Sequence, residues 1–141
     1  MEVSTRPKNV VRYERLAYLA VALTFASMPL NWTTLNKYLA SQPIVYPIAL
    51  VSILGLQIAW IWLIARKRKN WARVTSLVLL VAGILSEFFS VTERIAVSVP
   101  AAVAYYFVYV VWIAAMYFLF TGDAPAWFRQ QSQSDVEEVF R

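Results

Sequence analysis

Ile44 to Ala65 reads IVYPIALVSILGLQIAWIWLIA, twenty-two residues without a charge. A helix rises about 1.5 Å per residue, so this run reaches about 33 Å, enough for a hydrocarbon core of ~30 Å. Val99 to Phe120, VPAAVAYYFVYVVWIAAMYFLF, is equally long and equally free of charge. Two shorter apolar runs, Leu16 to about Trp32 and Val74 to about Val91, need flanking residues to span. Barrel strands would alternate over about ten residues, and these runs do not.

Composition agrees. The 141 residues are 60% hydrophobic and 15% charged, with a mean hydropathy of +0.56. Soluble domains carry about 25% charged residues. The expected fold class is all-α, an integral membrane four-helix bundle with cytoplasmic N- and C-termini. The boundaries are a basic arm at 1–12, a helical domain at 13–122 with spans at about 13–32, 44–65, 71–91 and 99–121, and a juxtamembrane tail at 123–141. Thr24-Phe25-Ala26 is a poor cleavage site, so the first run is read as a retained helix. The tight connection between the second and third spans predicts that these two pack as a hairpin.

Orientation follows from charge. Arg6, Lys8, Arg12, Arg15, Arg66, Lys67, Arg68, Lys69, Arg73, Arg129 and Arg141 lie on one side of a four-span chain, and only Lys37 and Arg94 on the other. Basic residues stay inside, which places both termini and the middle loop in the cytoplasm. The net charge of +5 is thereby read as topology and attraction to anionic lipid rather than as a nucleic-acid footprint. Arg66, Lys67, Arg68, Lys69, Trp71 and Trp127 are the lipid-contact candidates. The tail from Asp123 to Arg129 is expected to lie in the interface with Trp127 and Phe128 dipping in. Ser134 to Glu137 is a candidate cap for a last short helix.

Punctuation marks the helix ends. Pro43 precedes the second span, and Ser98 with Pro100 opens the fourth. Asn70 is a candidate cap for the third. Gly122 suits the position after the fourth. Pro29 predicts a kink or stop in the first.

Candidate chemistry is sparse. With no Cys and no His, zinc fingers, His-ligated haem, thiol catalysis and Ser-His triads are excluded. No phosphate loop or dinucleotide fingerprint is present. The expectation is no enzyme, no cofactor and no metal. Glu87 is an acid inside a span, and Arg94, seven residues on, falls close to the same helical face in a stripe with Gly83 and Ser90. Such a pair is either a polar site or a local tie. Gln57 is the deeper polar residue, suited to a ligand contact or to an interhelical hydrogen bond. These three are the ligand or ion candidates. Gly55 with Ala59, and Ala82 with Ser86 and Ser90, are small-residue rows that admit a close helix neighbour.

Three short stretches carry a resemblance: Arg6-Pro7-Lys8-Asn9-Val10 running into Tyr13-Glu14-Arg15-Leu16, then Lys69-Asn70-Trp71-Ala72-Arg73, then Ala126-Trp127-Phe128-Arg129. Together the chain resembles a loose group of small bacterial four-helix membrane proteins of unknown function. The resemblance implies a bacterial inner-membrane location and no activity. The resulting expectation is a non-enzymatic accessory, assembly or immunity-type subunit acting through helix packing. Its partners are the lipid bilayer and a membrane protein or second copy. The alternative is a small proton- or cation-coupled transporter or channel using Glu87.

Overall fold

A computed structural model describes residues 6–129, and every regular element among them is helical. The helices are α1 (Lys8–Ser27), α2 (Trp32–Ser41), α3 (Val45–Ala65), α4 (Asn70–Phe88), α5 (Val91–Val97) and α6 (Val99–Phe120), followed by a short helical segment at 124–129. A 3₁₀ turn, Met28–Asn31, joins α1 to α2. Four stretches, Lys8–Ser41, Val45–Ala65, Asn70–Phe88 and Val99–Phe120, are long and apolar enough to cross a membrane.

Pro29 acts as its ring chemistry dictates. It cannot donate to the preceding turn, the helix tightens to 3₁₀ there, and α2 resumes at Trp32. The first helical stretch therefore continues to Ser41, beyond the expected limit near residue 32. Tyr38 stacks on Tyr46 with ring centroids 5.4 Å apart, joining α2 to the start of α3. Ser98 caps α6, its Oγ accepting from the Ala101 N–H at 3.4 Å. Asn70 does not cap α4; it is the first helical residue, and the cap position is Lys69 without a side-chain bond.

The third apolar run is not one helix to residue 91. α4 ends at Phe88, and the Ser90 N–H bonds to the Glu87 carbonyl at 3.0 Å in a tightened last turn. α5 then starts afresh. Gly83, Glu87, Ser90 and Arg94 are accordingly not a continuous helical stripe.

Helix partnership is led by α1. It packs most extensively along α6 and next along α3. Val10, Tyr13, Ala17, Ala20 and Val21 recur at helical spacing and are all buried. From the other side α6 contributes Val111, Ala115, Met116 and Leu119. Small alanines on both helices let the backbones approach closely. The expected hairpin of α3 and α4 is the narrower contact, held near its turn by the Trp60 indole against Trp71 and by the Trp60 Nε1–H donating to Ser76 Oγ at 2.7 Å. Of α4, only Ala72 and Ser76 are buried.

The core is gathered at the basic end. Ile61, Ile64, Ala65, Ala72, Leu119, Ala124 and Phe128 are buried there with Val10 and Tyr13. At the opposite end Val45, Ile48, Leu85, Phe88 and Phe89 are exposed.

Gly122 follows α6 with φ +61°, a left-handed conformation that favours glycine. A Cβ there would strike the Asn9 carboxamide nitrogen, which itself donates to the Thr121 carbonyl at 2.9 Å. At Gly55 a Cβ meets open space. Gly122→Ala should lower stability by about 1–2 kcal/mol. Gly55→Ala should be neutral or raise it by up to about 1 kcal/mol. Thermal unfolding of the two variants in one detergent tests the contrast.

Candidate functional site

A cavity of about 500 Å³ lies in the middle of the bundle, lined by α1, α3, α4 and α6. It exists because α4 meets its neighbours only narrowly, and it is open at its side, where the lining residues Leu56 and Leu79 are exposed. Leu56, Leu79, Leu80 and Val108 form apolar walls, and Trp60 and Trp112 aromatic ones. Gln57 lines it, and its buried Oε1 has no hydrogen-bond partner. The Tyr109 hydroxyl sits 3.3 Å from that of Tyr105, and both residues line the wall. Among the described residues no Asp, Glu, Lys or Arg does.

The far end is closed by a polar tie. Arg94 donates to Glu87 from Nε at 2.7 Å and from Nη2 at 2.8 Å, a two-pronged pairing. The Tyr105 hydroxyl donates to the same carboxylate at 2.8 Å, and the Arg94 guanidinium lies 4.1 Å from the Tyr105 ring centroid. The Glu87 carboxylate, by accepting from it, holds the Arg94 guanidinium above its ordinary pKa. The sequence expectation of Glu87 beside Arg94 is thus met by a route it did not foresee. The break after Phe88 lets α5 fold back, and α6 supplies the tyrosine. Glu87 does not line the cavity; it reaches it only through Tyr105.

A second cluster sits at the basic end. Glu14 is 7% exposed, and its two oxygens accept from Arg6 Nη1 at 2.6 Å and Arg66 Nε at 2.9 Å. Asp123 accepts from the N–H groups of Lys8 and Asn9, at 2.9 and 3.2 Å. A carboxylate on free N–H groups at a helix start satisfies donors that the helix itself leaves open. The end of the chain's last span therefore caps the start of its first.

Arg68, in the turn between α3 and α4, has φ 55°, unusual for a residue with a side chain. Its guanidinium lies 4.4 Å from the Trp127 ring centroid and donates to the Trp127 carbonyl at 2.5 Å. Burial lowers its pKa from the ordinary value. Arg73 sits over the rings of Phe120 and Phe128, at 4.7 and 4.8 Å. Two sequence expectations change here. Trp127 and Phe128 do not dip outward; they are buried against the bundle, 7% and 1% exposed, because these arginines cover them. Arg68 turns its guanidinium onto the chain rather than outward. Arg66, Lys67 and Trp71 remain exposed, and Lys69 is half-buried. Arg141 and the Ser134–Glu137 cap lie outside the described residues.

Sequence reasoning did not single out Glu14, Tyr105 or Asp123 as ties. Glu14 was the most accessible of these, being an acid next to the buried stripe of Val10, Tyr13 and Ala17. Among the described residues no three Asp or Glu side chains come together to hold a metal. No family model, no curated protein and no solved structure matches the chain.

Arg68 separates backbone strain from side-chain contact. Arg68→Ala loses the Trp127 contacts and keeps the strained φ, which should cost about 1–2 kcal/mol. Arg68→Gly loses the same contacts but relaxes the turn, and should recover about 1 kcal/mol of that. Thermal unfolding of both variants, with Trp127 emission as a local probe, checks the order.

Proposed function

We propose that the chain is a multi-pass protein of a bacterial inner membrane, with both termini in the cytoplasm. In this reading it is a non-enzymatic accessory or assembly subunit that works by helix packing, related to the group its Arg-Pro, Asn-Trp-Ala-Arg and Trp-Phe elements resemble. The membrane location is supported by the four long apolar helices and by an exterior of exposed Val51, Leu56, Val78 and Phe107. The orientation is supported by the excess of Arg and Lys at one end.

The observation that carries the packing role is the outer face of α3. Gly55 and Ala59 are exposed, and a Cβ at Gly55 would touch nothing among the described residues. The small-residue pair therefore has no internal neighbour. Its use is a helix from outside, in a second copy or another membrane protein. The transporter reading draws less support. Both Glu87 oxygens are engaged by Arg94 and Tyr105, and among the described residues no charged side chain lines the cavity.

Two measurements test the proposal. Reporter fusions after residue 141 should read cytoplasmic; a periplasmic signal overturns the orientation. Gly55→Leu should leave thermal stability within about 1 kcal/mol, since the site is open, while abolishing cross-linking or co-purification with the partner helix. Undiminished association in that variant removes the α3 face from the role.

A further inference from the structure

We propose that the central cavity is a binding site for a single-chain amphiphile, one hydrocarbon chain bearing a small hydrogen-bonding head such as a hydroxyl. This site is separate from the α3 face and stands whether or not a protein partner exists.

Size selects the occupant first. On α6 the lining runs from Tyr105 to Met116, about 17 Å at the helical rise. A volume of about 500 Å³ over that length leaves a mean cross-section of roughly 30 Å². That is the girth of one extended hydrocarbon chain. A helix, at about 10–12 Å across, needs roughly three times as much. The volume itself is within the roughly 300–1,000 Å³ typical of small-molecule sites.

Chemistry selects next. A cation needs a countercharge or several converging oxygens; among the described residues no acidic side chain lines the wall, and the Thr24, Ser27 and Ser76 hydroxyls on it are each tied to a carbonyl of their own helix. A column of water needs several polar partners at each position, whereas Leu56, Leu79, Leu80 and Val108 offer none; apolar cavities stay dry and take apolar guests. Yet the space is not wholly apolar. Gln57 and Tyr109 put a carboxamide and a hydroxyl on the wall. The Gln57 Oε1 is itself shut off from the open space, so a hydroxyl on the guest bonds to the rest of that polar surface, the carboxamide N–H or the Tyr109 hydroxyl, which would otherwise face hydrocarbon. The chain then lies along the leucines, while Tyr109 closes against Gly83, where a Cβ would come within 3.3 Å of its hydroxyl oxygen.

The test uses the full chain in phosphatidylcholine nanodiscs with a fatty alcohol that carries a diazirine in its chain. After irradiation, peptide mass spectrometry should place adducts on Leu80 and Val108. Excess oleyl alcohol should compete, and hexadecane should compete less well. Leu80→Trp and Val108→Trp fill the space from different helices, and each should cut cavity adducts by roughly tenfold or more. Gln57→Leu keeps the space and should weaken oleyl alcohol competition by roughly three- to tenfold while leaving hexadecane unchanged. Adducts confined to outward residues such as Val51 and Val78, or undiminished in both filled variants, overturn the site. Equal competition by the alcohol and the alkane, unaffected by Gln57→Leu, overturns the polar head.

Discussion

Ala17 and Ala20 on α1, and Ala115 and Leu119 on α6, are completely buried. With so little side chain between them, the first and last long helices approach closely and pack over much of their length. This close approach determines which helices can meet the remaining two. α3 reaches α1 as well, but α4 is left with narrow contacts to α3 and α6. The central cavity is the geometric remainder of that arrangement. Two helices are zipped together, a third lies against the first of them, and a fourth stands off.

The seam is secured from its basic end by groups distant in sequence. Asp123 caps α1, Asn9 bonds to the Thr121 carbonyl, and Gly122 makes the bend that permits both. Glu14 gathers Arg6 from the arm and Arg66 from the turn after α3. Each arginine brings a different segment to one carboxylate, so the acid orders the arm and the turn together. At the far end the Glu87, Arg94 and Tyr105 tie joins α4, α5 and α6. Between the ties α4 is held at both ends and least in the middle, where the cavity lies. A carboxylate that pairs with a guanidinium in two prongs and accepts a phenol as well is suited to fixing position, not to exchanging a proton or cation with a pathway.

The helices themselves were legible in the sequence, and so was much of their punctuation. Pro29, Ser98 with Pro100, and Gly122 act through backbone chemistry that is local to the residue, so their effect can be read without knowing the fold. Partner choice was not legible, for a physical reason. In a soluble helix the apolar stripe marks the core. Here nearly every face is apolar, and lipid tails are as apolar as leucine, so hydrophobicity does not separate inward from outward positions. Small residues were the remaining signal, and they point both ways. Gly55 with Ala59 faces outward, whereas Ala17, Ala20 and Ala115 make the seam. The burial of Trp127 and Phe128 was hidden for a related reason. An aromatic pair beside basic residues suits a headgroup boundary and an arginine stack equally well, and only the turn at Arg68 decides between them.

The cavity also separates two kinds of helix contact. At the α1–α6 seam, loss of side-chain volume is compensated by backbone approach, and dispersion contacts are kept. Beside Leu79 and Leu80 they are not, because α4 is fixed by its contacts near both ends and leaves the space between them open. Atoms lining a gap forfeit those contacts, and a methyl-sized gap already costs about 1 kcal/mol. The space of about 500 Å³ is open at its side, where the lining residues Leu56 and Leu79 are exposed. A guest chain restores the missing contacts along the walls and meets the polar surface of Gln57 and Tyr109. The same displacement of α4 that weakens the empty bundle is therefore what gives the occupied one its specificity for length, girth and a single polar group.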